Sequence, residues 1–219
     1  MAKHKVLSTK KLKSSLVELA REKGFEIIEK EFIQVKGLET ERQVLDENAV
    51  VVFTSANAVQ HAPIEEFKGK IFCISGATKK AVEARFPNST IICTADDAAA
   101  LADKIIDEEV EEVIFFCGNK RRDVLLDNLQ QAGIKVKEMV VYETAETPEK
   151  LDDDFDAVLF FSPSAVNSFF KVNQLKEAAV YFAIGDTTAD AIKGFTTNNV
   201  LVSEAPTQEA VIELLITHY

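Results

Sequence analysis

Tryptophan is absent from this 219-residue chain, and glycine (8), proline (5) and cysteine (3) are sparse. So little Gly and Pro excludes collagen-like and low-complexity architectures, while 47% apolar residues suffice for a packed core. Long apolar runs are missing too. The longest, such as Ala49–Phe53 and Ala157–Phe161, are strand-sized and fall far short of the ~20 residues of a membrane helix. The charged start, Met1 to Lys11, is followed by no apolar stretch, which predicts no secretory leader and a cytoplasmic protein without membrane contact.

Cys73, Cys93 and Cys117 are odd in number and lack CxxC spacing, so they read as buried thiols. His4, His61 and His218 are scattered, and no metal site is expected from them. A net charge of −11 argues against nucleic acid as a partner, because such binding depends on neutralising phosphates. A small anionic ligand held by backbone amides stays open.

Short β-branched or aromatic runs alternate with amphipathic stretches along the whole chain. Strands are expected at Lys5–Leu7, Glu26–Val35, Ala49–Phe53, Ile71–Ile74, Thr90–Cys93, Val113–Cys117, Lys135–Val141, Ala157–Phe161, Val180–Ile184 and Val200–Val202. Helices are expected between them, among others at Leu12–Lys23, Ala56–Phe67 and Arg122–Ala132. Gly24 and Gly133 stand where a helix C-terminus needs a left-handed residue. Nearly continuous apolar strands separated by helices give an α/β fold with parallel sheets covered on both faces.

The chain also repeats itself. Phe53-Thr-Ser55-Ala-Asn-Ala-Val59 matches Phe160-Phe-Ser162-Pro-Ser-Ala-Val166, 107 residues on. Ile74-Ser-Gly76-Ala-Thr78 matches Ile184-Gly185-Asp-Thr187, with the two glycines 109 apart. A third match is out of order: Val113–Tyr142 resembles Lys5–Val35. Strand counting then gives two five-stranded domains, the first discontinuous. We expect residues 1–35 with 144–219 as one and 38–141 as the other, with 36–37 and 142–143 linking them.

Ligands of parallel α/β sheets bind at the carboxyl ends of strands. The repeated signatures lie there: Thr54 and Ser55, Ser162 and Ser164, Gly76 with Thr78, Gly185 with Thr187. Each turn offers main-chain N–H groups and a helix dipole suited to carboxylates or phosphates. Each hydroxyl fits an ordinary N-cap equally well. Four such turns in two related domains facing each other point to a ligand cleft. Basic residues join them at Lys10 and Lys11 and at Lys120, Arg121 and Arg122, the latter after Gly118-Asn119. Tyr142, at the domain crossover, is either a phenol facing the ligand or a packing aromatic. No GxSxG, GxxxxGK[ST] or GxGxxG motif is present.

The order and spacing of Phe53–Val59, Val140-Val-Tyr142-Glu-Thr144, Phe160–Val166, Ile184–Ala189 and Ala205-Pro-Thr-Gln-Glu209 resemble the uroporphyrinogen-III synthase family, over essentially the full length. The resemblance implies two flavodoxin-like domains joined by a two-stranded linker, the first discontinuous. It implies a cofactor-free lyase of haem biosynthesis; a monomer is expected because the repeat already provides both walls of a cleft. The substrate would be the linear tetrapyrrole hydroxymethylbilane, with transient hand-off from hydroxymethylbilane synthase. The enzyme would close it to uroporphyrinogen III, inverting ring D through a spiro intermediate and releasing water. Carried onto this chain, Tyr142 is the general acid, and Thr54, Ser55, Thr78, Ser162, Ser164 and Thr187 contact substrate, with Gly76 and Gly185 lending backbone; Gly118, with Asn119, would by its own flexibility let a further turn bring backbone close to a ligand. Lys10 stands where the family often has Arg, and Asp186 where it often has Pro. The chief alternative is a two-lobed small-molecule binding protein without catalysis. A receiver-like signalling module would need an acidic cluster that cannot be assembled here.

Overall fold

The structure is a computed structural model and describes residues 4–121, 123–174 and 176–219. Contacts divide the chain into two compact units, Met1–Gln34 with Ala145–Tyr219, and Val35–Thr144. We call them the discontinuous and the inserted unit.

The discontinuous unit contains β1 (His4–Ser8), α1 (Ser14–Glu22), β2 (Phe25–Glu29), β9 (Ala157–Phe160), α6 (Pro163–Phe170), β10 (Val180–Ala183), α7 (Asp186–Lys193), β11 (Val200–Val202) and α8 (Gln208–His218). Its sheet runs β2-β1-β9-β10-β11, with every neighbouring pair parallel. The inserted unit contains β4 (Val50–Phe53), α2 (Ala56–His61), β5 (Lys70–Ile74), α3 (Ala77–Arg85), β6 (Thr90–Ala95), α4 (Ala98–Asp107), β7 (Glu112–Gly118) and α5 (Val124–Gln131). Two further strands, β3 (Ile33–Gly37) and β8 (Lys135–Glu146), carry the chain into and out of it. Its sheet runs β3-β8-β7-β4-β5-β6, and the five strands from β8 to β6 are mutually parallel.

Those five strands have the same spatial order as the other sheet when β7, β8, β4, β5 and β6 are matched to β1, β2, β9, β10 and β11. The inserted unit is therefore a circular permutation of the discontinuous one, which is why one of the three sequence matches fell out of order.

Phenylalanine supplies the bulk that tryptophan does not. Phe53 is fully buried and stacks on Phe116 and Phe86, with ring centroids 5.5 and 6.0 Å apart. Its counterpart Phe160 meets Phe169, Phe170 and Tyr181 in the other core. Helices bury one stripe each, as in α5, where Leu125 and Leu129 are four residues apart and point inward. Gly24 and Gly133 adopt φ of +92° and +80°, the left-handed values their helix ends require.

Several expected elements end differently, and the strand expected over Lys135–Val141 runs on to Glu146, through the expected linker at 142–143. Glu26–Val35 is two strands, because Phe32 leaves the ladder to pack edge-on against Phe169 at 5.3 Å. The helix expected over Ala56–Phe67 stops at His61, since Pro63 offers no N–H and disfavours a helical Ala62. Arg85 donates to the carbonyls of Ala62 and Ile64 at 2.7 and 3.1 Å, fixing the chain beyond that end. Helix α5 begins at Val124, and Arg122 lies outside the described residues.

Candidate active site

In the inserted unit the strand ends bring three expected residues together. The β7–β8 ladder shifts register after Cys117↔Val140, so that Gly118 pairs with Tyr142. The Tyr142 ring lies on Gly118 so closely that a Cβ there would stand 2.4 Å from Cζ. This close approach is what the position needs glycine for. Asn119 locks the strand: its N–H donates to the Tyr142 carbonyl at 3.1 Å, and its Oδ1 accepts the Thr144 N–H at 2.9 Å. The Tyr142 hydroxyl donates to Ser55 Oγ at 3.1 Å. Ser55 is the N-cap of α2, and its Oγ also accepts the Asn57 N–H at 3.2 Å. Both Tyr142 and Ser55 are half-buried, as is the adjoining Thr54. His61 stands beside them, its ring centroid 6.3 Å from that of Tyr142 and its Nδ1 against Gly37.

The remaining turns differ in what they leave for a ligand. Ser162 caps α6 through the Ala165 N–H at 3.2 Å, and Ser164 is half-buried beside it. Gly76 and Gly185 precede α3 and α7, and neither helix has a side-chain cap. Thr187 is exposed, whereas Thr78 is buried. Asp186 occupies the first turn of α7, where its own carboxylate complements the dipole. Lys10 is exposed on the β1–α1 turn, which Gln208 clamps from both sides. The Gln208 amide accepts the Lys13 N–H at 3.1 Å and donates to the Lys11 carbonyl at 3.0 Å.

Arg121, one of the three consecutive basic residues, is committed to protein partners. It pairs with Glu138, Nε to Oε2 at 2.8 Å, and with Asp123. Those hydrogen bonds push its pKa still further up. Burial, foremost, pushes the Cys73 and Cys117 thiols up to about 11 and also raises Cys93, so none is a ready thiolate nucleophile at neutral pH.

Compared with known proteins, residues 14–213 match the family model described as uroporphyrinogen-III synthase HemD. The chain belongs to the uroporphyrinogen-III synthase family. A curated member, the uroporphyrinogen-III synthase of Schizosaccharomyces pombe, is 29% identical over 113 residues, which is 48% of this chain and 43% of that protein. The chain thus spans less than half the length of the curated relative it matches. Among solved structures, uroporphyrinogen-III synthetase from Helicobacter pylori superposes with a TM-score of 0.69 over 100% of both chains at 16% identity. A mutant of the Thermus thermophilus uroporphyrinogen III synthase gives 0.60 over 98% of this chain and 97% of its own, at 14% identity. At such identities these two establish the fold, which is the α/β fold expected for the family.

Sequence reasoning passed over His61, Gly37 and Gln208 as parts of the strand-end regions. A histidine in the last turn of a short helix carries no signal of its own. Gln208 stood in a quoted motif, but nothing in that motif discloses that its amide reaches back 197 residues to Lys11.

Proposed function

We propose that this chain closes hydroxymethylbilane to uroporphyrinogen III, taking the bilane over from hydroxymethylbilane synthase by transient hand-off. Family membership supplies the reaction class. The observation that carries the reading is Tyr142, a phenol clamped over Gly118 and hydrogen-bonded to Ser55 at the carboxyl end of the sheet.

The chemistry asks for little else. Protonating the terminal hydroxyl lets it leave as water while the pyrrole nitrogen supplies electrons, forming an azafulvene. The substituted carbon of ring D attacks it to give the spiro intermediate, which fragments and recloses with ring D inverted. Without a protein, direct closure gives the uninverted isomer, so the protein's task is to fold the bilane and deliver one proton. Carboxylates of the bilane are matched to main-chain N–H groups at the turns of Gly76 and Gly185 and to hydroxyls at Thr54, Thr78, Ser162, Ser164 and Thr187. Lys10 adds charge without the two-pronged geometry of arginine.

The test generates hydroxymethylbilane in place from porphobilinogen with its deaminase, adds this protein, oxidises the products and separates uroporphyrins I and III. Isomer III must rise with protein concentration. Isomer I alone, from a folded sample, would overturn the reading and leave a ligand-binding protein.

A further inference from the structure

The hydrogen bonds at Tyr142 say more about proton delivery than its position does. A serine hydroxyl has two lone pairs and one hydrogen. At Ser55 both lone pairs are engaged, one by the Asn57 N–H at 3.2 Å and one by the Tyr142 O–H at 3.1 Å. What Ser55 has left to offer is its own hydrogen. The direction of the Tyr142–Ser55 bond also follows from chemistry. A phenol is a stronger acid than an alcohol, and its oxygen shares electron density with the ring, so the phenol donates and the alcohol accepts.

We propose that Ser55 is the residue that hands the proton to the departing hydroxyl, with Tyr142 as the reservoir behind it. This relay rests on the function proposed above. The Ser55 Oγ–H bond breaks as the proton moves to the leaving oxygen, and the C–O bond cleaves with the pyrrole nitrogen supplying the electron pair. In the same step the Tyr142 proton passes to Ser55 Oγ. Serine is never left charged. The negative charge ends on the phenolate, the more stable anion, beside the cationic azafulvene it balances. The proton released when ring D regains aromaticity after reclosure returns to Tyr142, so the cycle consumes none.

The surroundings hold the relay still. The phenol ring is fixed by Gly118, its main chain by Asn119, and the serine by the helix it caps. Both hydroxyl-bearing residues are half-buried, so the pair is within reach of a bound molecule.

Single-turnover formation of uroporphyrinogen III by the full chain tests this with Ser55→Ala, Ser55→Thr, Tyr142→Phe and the Ser55→Ala/Tyr142→Phe double variant. Formation of isomer III by the unsubstituted protein first separates the relay from the proposed function, whose failure would be seen there. Ser55→Ala should lower turnover ~10²-fold or more, at least as far as Tyr142→Phe, and the double variant should fall no further. Ser55→Thr, which keeps the oxygen, should restore turnover to within a few-fold. In mixtures of light and heavy water the rate of the unsubstituted protein should bow with two protons in flight, and that of Tyr142→Phe should be linear. A larger loss in Tyr142→Phe than in Ser55→Ala, additive losses, or a linear inventory in the unsubstituted protein would each overturn the relay. The isotope comparison needs only Tyr142→Phe, so it decides the matter even if Ser55→Ala does not fold.

Discussion

The two units share one strand order and differ in how far one strand pair runs. In the discontinuous unit β1 and β2 have five residues each, and their ladder ends at Ser8↔Glu29. The Glu29 carboxylate then turns onto the β1–α1 turn and accepts the Leu12 N–H at 2.6 Å. In the inserted unit β7 has seven residues and β8 twelve, and the ladder continues through a register shift to Gly118↔Tyr142. An acid turns onto the strand-end turn in both units, Glu29 on the Leu12 N–H and Glu138 on Arg121, and only the inserted unit adds a phenol beyond it. The two cap serines diverge accordingly. Ser162 accepts the Ala165 N–H, while Ser55 accepts Asn57 N–H and the phenol as well. Strand length, more than any new motif, separates the two corners.

The comparison breaks most severely at Gly118. Gly118→Ala drives a Cβ to 2.4 Å from the Tyr142 ring, which must swing off Ser55. We expect a cost of about 1–3 kcal/mol in a urea melt and a loss of turnover as large as that of Tyr142→Phe. Retained turnover with a normal melt would show that the ring has somewhere else to go.

A smaller effect sharpens the contrast between the serines. Ser162→Ala and Ser55→Ala each remove one N-cap and should each cost about 1 kcal/mol of stability. Turnover should fall at least tenfold less in Ser162→Ala than in Ser55→Ala, given the ~10²-fold or more expected of an acid–base group. Equal kinetic losses would mean that the extra hydrogen bond at Ser55 is not what matters.

The smallest effect belongs to the discontinuous unit alone. Asp156, just before β9, accepts the Lys5 N–H at 3.0 Å and pairs with Lys176 at 3.1 Å. The Lys5 N–H, foremost, holds its carboxyl below the ordinary value of 3.8, with partial burial opposing and Lys176 assisting. A depressed folded value stabilises the unit above 3.8 and loses that contribution as pH falls through the lower folded value. Asp156→Asn should flatten the acid limb of this unit's stability without altering turnover at neutral pH. Thermal melts of both proteins from pH 6 to pH 2.5 would read it, and parallel curves would exclude the carboxylate as the source of the slope.

Most of the fold was legible because apolar runs of strand length alternate with helical spacing, and because Gly24 and Gly133 are 109 residues apart, as are Gly76 and Gly185. The break between β2 and β3 was not. Phe32 beside Ile33 and Val35 has the character of a strand residue, and only tertiary packing on Phe169 marks it as a core anchor. The end of α2 was written in Pro63, but Ile64 and Phe67 continued the apolar spacing and obscured it; both serve as buried anchors of a loop. The hydroxyls at strand ends were visible as caps. Their pairing was not, since Tyr142 and Ser55 lie 87 residues apart and meet only through the order β8-β7-β4. Arg121 likewise looked available until Glu138, 17 residues later, was seen to occupy it.

The permuted connectivity also bears on the order in which the chain can assemble. The inserted unit is continuous and can complete its sheet from its own residues. The other must wait, because β1 pairs with β9, and Thr9 bonds Leu159 across 150 residues. Once the inserted unit has folded, its two ends are neighbours, with the Leu38 N–H on the Val141 carbonyl at 3.0 Å. The loop separating β1 from β9 then shrinks from roughly 150 residues to roughly 50, which lowers the entropic cost of closing it by about 1 kcal/mol. The unit that holds the phenol thus acts as a splint, drawing together the two halves of its companion.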